Sequence, residues 1–251
     1  MKRIAIIPAR GGSKRIPLKN IIDFNGKPMI EWTIEAALKS QCFDHVLVST
    51  DSEVISAVSI AAGAAVPFLR QENADDAAPS SMATISALKQ AESHWQTCFD
   101  QVVQLMPNCP LRGAEHIQTA LDNFQTQNIA YQISCFRFGW MNPWWAVKLD
   151  ADMVPTRLYP EAMNKRSQDL EHIYCPTGAI WVAQRGALLE SGTFYGADHR
   201  YYPMDWIGAL DIDDMDDYRM ALALADMRKV SGVEKPLPTE RKLPCPGLST
   251  E

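Results

Sequence analysis

The sequence lacks a cysteine framework. Its six cysteines, Cys42, Cys98, Cys109, Cys135, Cys175 and Cys245, form no C-x-x-C pair. They read as free thiols, as expected of a chain kept in a reducing compartment. The five histidines are scattered as well, and none sits at the i, i+4 spacing of a helical zinc pair. A basic balance is also missing. The formal net charge is −6, which argues against a nucleic-acid binder but leaves room for a local basic cluster. No stretch approaches the ~20 apolar residues of a membrane span. Met1-Lys2-Arg3 followed by Ile4-Ala5-Ile6-Ile7 is too short an apolar run for a signal peptide, and Arg10, Lys14 and Arg15 follow at once. Cytoplasmic residence is the resulting expectation. Two familiar nucleotide loops are absent too. Neither the Walker spacing G-x-x-x-x-G-K-[ST] nor the dinucleotide fingerprint G-x-G-x-x-G occurs near the first strand.

What is present is an ordinary globular composition, 47% hydrophobic and 22% charged over 251 residues. That is enough for one large domain with a full core. Strand-like runs alternate with helical ones. Ile4–Pro8, His45–Thr50, Val66–Leu69, Gln101–Met106, Gly178–Val182 and Ala209–Asp213 read as strands. Ile30–Lys39, Val54–Ala62, Ser80–Trp95, Ala114–Phe124 and Met215–Arg228 read as helices, the second closing at Gly63. This alternation predicts a three-layer α/β fold with a mostly parallel, Rossmann-like sheet. Ligands of such sheets bind where loops leave the carboxyl ends of strands. The loops after Ile7, Thr50 and Met106 are therefore the expected site.

From about Phe136 to Gln168 the periodicity breaks, and Trp140, Trp144, Trp145 and Tyr159 cluster. This reads as an excursion from a domain spanning 1–232: a lid, a dimerisation arm, or both. Core tryptophans are the alternative. Residues 233–251 read as a flexible tail.

The loop Pro8-Ala9-Arg10-Gly11-Gly12-Ser13-Lys14-Arg15 follows the first strand. Two glycines allow backbone N–H groups to turn toward an anion. Arg10, Lys14, Arg15 and Lys19 supply cations for charge-assisted bonds to phosphate. Near the other end, Asp211-Ile212-Asp213 places two carboxylates on one face of an extended segment. Such a pair holds Mg²⁺ together with phosphate oxygens, or it is the polar end of a strand before a helix that Asp214, Asp216 and Asp217 begin.

Ile7-Pro8-Ala9-Arg10-Gly11-Gly12-Ser13-Lys14-Arg15-Ile16-Pro17-Leu18-Lys19-Asn20 resembles the N-terminal signature of the acylneuraminate cytidylyltransferase family. Asn25-Gly26-Lys27-Pro28-Met29-Ile30, Val48-Ser49-Thr50-Asp51, Leu105-Met106-Pro107-Asn108-Cys109-Pro110-Leu111-Arg112, Arg166-Ser167-Gln168-Asp169-Leu170 and Gly178-Ala179-Ile180 resemble its later motifs. The resemblance implies CMP transfer from CTP to an acidic 2-keto sugar, with Mg²⁺ on Asp211 and Asp213 and a homodimer. It implies that Ala9, Arg10, Ser13, Lys14, Lys19, Asn20, Arg70, Ser81 and Asn108 bind the nucleotide. Met106, Arg166, Gln168 and Thr177 fall on the sugar side. Arg10, Lys14 and Asp211 take the catalytic roles, with Asp211 or a metal-bound hydroxide accepting the proton. Met106, Ser167, Cys175 and Thr177 depart from the pattern of enzymes acting on N-acetylneuraminate. The rivals are the same chemistry on the eight-carbon lipopolysaccharide sugar, a non-catalytic nucleotide-sugar binder, and a nicotinamide oxidoreductase.

Overall fold

The computed structural model describes residues 1–70 and 79–231. The expected tail at 233–251 and Cys245 lie outside the described residues. In chain order, β1 (Arg3–Pro8) leads into the basic loop, and a short turn at Lys19–Ile21 precedes the two-residue strands β2 (Asp23–Phe24) and β3 (Lys27–Pro28). Then follow α1 (Met29–Ser40), β4 (His45–Ser49), α2 (Glu53–Ala61), α3 (Ser80–Trp95), β5 (Gln101–Gln104), α4 (Ala114–Gln127) and β6 (Tyr131–Arg137). The excursion contributes β7 (Val147–Leu149) and β8 (Pro155–Arg157). The core resumes with β9 (Tyr174–Gln184), α5 (Arg185–Ser191), β10 (Arg200–Pro203), α6 (Trp206–Ala209) and α7 (Met215–Ser231).

Six strands form the main sheet in the order β10-β6-β9-β5-β1-β4. β1 runs parallel to β4 and β5, and β10 parallel to β6. Only β9 runs against its neighbours β5 and β6. Alternation along β1 builds the layers. Ala5 and Ile7 join one buried cluster with Ile30 and Ile34 of α1, Ile55 of α2 and Ile117 of α4. Ile4 and Ile6 point the other way, toward Leu88 of α3 and Leu188 of α5. A run apolar at every position is what a strand covered on both faces requires. A third cluster seats α7 through Ala221 and Ala225 on Phe24, Met29 and Ile212.

Two expected strands do not form. Val66–Leu69 contributes no ladder; a single parallel bridge joins Ala65 to Leu47. Pro67 has no N–H to give, so the segment follows the edge of β4 without extending it. It still reaches the site, because the Arg70 amide donates to the Thr50 carbonyl at 2.7 Å. Ala209–Asp213 is not a strand either. Its start closes α6, whose cap is the Asp205 carboxylate accepting from the Gly208 amide at 2.9 Å. The following residues extend without a strand partner. β10 was not anticipated. α2 does close at Gly63, whose φ of +95° suits glycine. Among the described residues no helix is long and apolar enough to cross a membrane.

Candidate active site

The loops after β1 and β5 and the segment after α6 enclose a cleft of about 450 Å³, within the ordinary range for small-molecule sites. Arg10, Lys14, Arg15, Lys19 and Arg70 all line it, and the acid among its lining residues is Asp213. The basic cluster expected from the sequence is therefore assembled in space.

The loop is shaped by two side chains. The Gly11 amide donates to Asp51 Oδ1 at 2.8 Å, and Asn20 Nδ2 donates to the Arg10 carbonyl at 2.9 Å. The expectation that the glycines offer their amides to an anion is thus corrected at Gly11. A carboxylate from the end of β4 already holds that amide. Asn20 shapes the loop as well as lining the cleft. Ala9 does not line the cleft: it is fully buried, and its amide continues the sheet by donating to the Ser49 carbonyl at 2.9 Å. Ser13 does line it. Arg70 is buried between Asp51 and Arg10. Burial lowers its pKa, and its Nε has no hydrogen-bond partner.

Opposite the loop, Ile212 is fully buried while solvent reaches Asp211 and Asp213 on either side. The period-two logic survives although the ladder does not. Asn108 supplies the missing pairing: its carbonyl accepts from the Ile212 amide at 2.8 Å, and its Nδ2 donates to the Ile212 carbonyl at 3.3 Å. Lys19 Nζ donates to that same carbonyl at 2.9 Å. Burying an isoleucine contributes roughly 1.5–3 kcal/mol, more than an exposed ion pair does. Ile212 and its pins, not the charges, fix this segment. Asn108 belongs to the cleft wall, with Oδ1 buried and unpartnered.

The two carboxylates differ. Around Asp211 the protein penalises charge even though solvent reaches the residue, and the neighbouring Asp213 adds repulsion; its pKa is raised. Asp213 is partly buried, which also disfavours its charge, but Lys19 at 3.1 Å and Arg15 at 2.9 Å outweigh that and lower its pKa. Asp214, Asp216 and Asp217 begin α7, as the helix reading expected. Asp217 Oδ2 accepts from the Asp213 and Asp214 amides, and Asp214 Oδ1 from the Asp216 and Asp217 amides. Among the described residues no group of three or more His, Cys, Asp or Glu is placed to hold a metal alone.

Several expected positions fall elsewhere. Ser81 is buried, and its Oγ accepts from the Phe194 amide at 3.4 Å. Ser80, one residue earlier, is the serine that lines the cleft. One residue turns a helix by about 100°, so the N-terminal turn of α3 aims the neighbour instead. Thr177 is buried too. Its hydroxyl donates to the Ala209 carbonyl at 2.7 Å and ties β9 to the approach of Asp211. Arg166 and Gln168 lie exposed on the excursion, with Arg166 paired to Asp169 at 2.8 Å. Met106 does line the cleft.

The sequence reading missed Gln104 and Arg112. Gln104 is fully buried; its Oε1 accepts from Thr84 at 2.6 Å and its Nε2 donates to Ser80 Oγ at 3.2 Å. A glutamine at the end of an apolar strand was the available signal. Arg112 is a buried brace that donates to the Ala179 and Met106 carbonyls and to Thr33 Oγ1. Desolvation lowers it to about 10.

The profile of the family described as Cytidylyltransferase matches residues 4–170. This chain belongs to the cytidylyltransferase family. As a cytidylyltransferase it is a nucleotidyltransferase, and the profile match ends before Asp211. The pseudaminic acid cytidylyltransferase of Campylobacter jejuni is 35% identical over 89% of this chain and 96% of its own length. The CMP-N,N'-diacetyllegionaminic acid synthase of Legionella pneumophila is 32% identical over 91% and 98%. The N-acylneuraminate cytidylyltransferase of Escherichia coli is 34% identical over 89% of this chain but 52% of its own. Among solved structures, CMP:2-keto-3-deoxy-manno-octonic acid synthetase complexed with CTP shares the fold at a TM-score of 0.68 and 17% identity, covering 91% of this chain and 100% of that one.

Proposed function

We propose that this cytidylyltransferase joins CMP from CTP to the anomeric 2-hydroxyl of a nonulosonic acid of the sialic type and releases pyrophosphate. The observation that carries this reading is the opposition of two charges across one cleft. Arg10, Lys14, Arg15, Lys19 and Arg70 face the Asp211–Asp213 segment. The cations bind and orient a triphosphate and neutralise the charge that develops on the departing pyrophosphate. The buried Arg70, with an unpartnered Nε, fits the nucleoside end. The hydroxyl oxygen bonds to the α-phosphorus, the bond to the β-phosphate breaks, and the hydroxyl loses its proton. Asp211 is the first candidate to receive it.

The donor set fits Mg²⁺: two hard oxygen side chains, too few for a protein-only site, leaving positions for phosphate and water. Bound there by Asp211 and Asp213, the ion would act as a Lewis acid at the α-phosphate. The test is pyrophosphate release from CTP with a panel of sugar acids. Release with no acid of the panel, or release with no need for a divalent cation, would count against the reading.

A narrower reading of the acceptor has its own support. Met106 puts a thioether on the cleft wall, 3.7 Å from Gln104 Nε2. A thioether cannot bond a hydroxyl as an amide would. This favours a 5,7-diamino acid, pseudaminic or legionaminic, over N-acetylneuraminate.

We also infer a homodimer formed through the excursion. Trp140 is 85% exposed, beside Met141, Met153 and Val154, which are exposed as well. An apolar patch of this kind suits a partner surface. A fully active monomer at micromolar concentration in sedimentation would refute it. The five described cysteines are free thiols, which supports residence in the cytoplasm.

A further inference from the structure

Each oxygen of Asp213 is taken by a different cation. Arg15 Nη2 lies 2.9 Å from Oδ2, and Lys19 Nζ lies 3.1 Å from Oδ1. The two cations are held differently. Lys19 is 16% exposed along its side chain and is also bonded to the Ile212 carbonyl. Arg15 is 62% exposed, and its recorded contact in the cleft is Asp213. Exposed pairs of this type are weak and easily exchanged. Asp211 has no ion pair.

The cleft as a whole opposes a bare metal ion. Five cationic side chains line it. Asp211, Asp213 and the nearby Asp51 leave two of those positive charges uncompensated. A divalent cation arriving alone meets a positive field and a carboxylate already occupied. A triphosphate reverses both conditions. It brings several negative charges into the same space, and it offers Arg15 a partner with which a guanidinium pairs well.

We propose that Arg15 is a positioning residue that, with Lys19, holds Asp213 in the ligand-free cleft and passes to the triphosphate when it binds, so that the divalent cation enters together with the nucleotide rather than before it. This rests on the assignment of Asp213 as a metal-binding carboxylate. Lys19 stays in place through the Ile212 carbonyl. Arg15 is the part that moves. The proposal gives a role to a cationic position for which the sequence suggested only general phosphate attraction.

The experiment measures metal binding rather than turnover. Mn²⁺ is titrated into wild type, Arg15→Gln, Arg15→Lys and Asp213→Asn, and the free ion is counted by electron paramagnetic resonance. The titration is repeated with CTP but no sugar acid, counting the Mn²⁺ retained with protein after ultrafiltration. Because the Arg15 side chain is 62% exposed, its variants should fold. Without CTP, wild type should bind Mn²⁺ weakly, and Arg15→Gln should tighten binding about two- to fivefold. Arg15→Lys should restore the wild-type value, and CTP should abolish the advantage of Arg15→Gln. Equal Mn²⁺ affinity of wild type and Arg15→Gln without CTP would overturn the proposal. So would Mn²⁺ binding to ligand-free wild type as tight as with CTP. If Asp213→Asn retains Mn²⁺ with CTP as wild type does, the metal assignment itself is wrong. If Asp213→Asn loses it while Arg15→Gln matches wild type, the metal assignment stands and only the role of Arg15 fails.

Discussion

Lys19, Asn20, Asn108 and Arg112 tie the nucleotide side of the cleft to backbone atoms of the core. The excursion between β6 and β9 is built another way. It closes on itself through Trp144 Nε1 donating to the Glu171 carbonyl, Trp145 Nε1 donating to the Ala162 carbonyl, and the edge contact of Trp144 with Tyr159. These tryptophans are not core residues of the main domain. Trp140 is left in solvent. The contrast teaches which chemistry each region fixes. A rigid cationic wall facing pinned carboxylates suits a group common to every reaction cycle, the triphosphate. A self-contained arm with an exposed apolar face suits the part of the site that changes with the sugar and with a partner chain.

The strongest way to break this comparison is at the pinned carboxylates. Asp211→Asn and Asp213→Asn should each lower turnover by on the order of 100-fold or more, by analogy with losing a charge-stabilising group in an active site. Circular dichroism should show the fold retained, since Ile212 and Asn108 hold the segment. Near-normal turnover with Mg²⁺ in both variants would remove the carboxylates from the mechanism.

A smaller effect is expected on the sugar side. In competition, a 5,7-diamino acid should show a kcat/KM about tenfold or more above N-acetylneuraminate, because a thioether discriminates less sharply than a designed hydrogen bond. A higher value for N-acetylneuraminate would show that other side chains replace what Met106 lacks. Gly178→Ala sharpens the point. A Cβ there would lie 2.7 Å from Met106 Cγ, so the methionine must shift. The KM for the sugar acid should change about three- to tenfold while the KM for CTP stays within about twofold. Equal changes in both would mean that Met106 does not divide the two ends of the cleft.

Much of the nucleotide end was legible because its signals are local. Two-faced burial is written in Ile4-Ala5-Ile6-Ile7, and the cations of the loop are consecutive enough that one turn gathers them. The two carboxylates could be placed together without knowing the element, since any extended segment with Ile212 inward puts both outward. What escaped depends on distant partners. Nothing near Gly11 announces that Asp51 takes its amide, and nothing in Leu111-Arg112 says that the arginine runs into the core to reach Ala179. The choice between Ser80 and Ser81 rests on where α3 begins, the least certain feature of any helix read from sequence. Arg166, Gln168 and Thr177 were carried by resemblance alone. The structure buries Thr177 and leaves the other two on the arm, outside the cleft wall of a single chain.

The smallest predicted effect separates the two carboxylates by stability. The folded-state pKa of Asp213 is lowered by Lys19 and Arg15 against the cost of its burial. Its contribution is therefore present above the unfolded carboxylate pKa and lost as pH falls through the lower folded value. The pKa of Asp211 is raised by partial burial and by Asp213. Its protonated form favours the fold below the unfolded pKa, and this contribution is lost as pH rises through the folded value, so at neutral pH its charge costs stability. Metal-free Asp211→Asn should then melt slightly above wild type at pH 7, and Asp213→Asn slightly below. Solvent reaches both groups, so each shift is held to about 1–2 °C. The deficit of Asp213→Asn should shrink as the pH is taken down toward its folded pKa, because wild type loses the same contribution there. Differential scanning calorimetry of the two variants, without metal or nucleotide, reads both signs at once. Shifts of the same sign at pH 7 would show that the cations of the cleft do not distinguish the two carboxylates, and the asymmetry between a paired Asp213 and an unpaired Asp211 would have no energetic consequence.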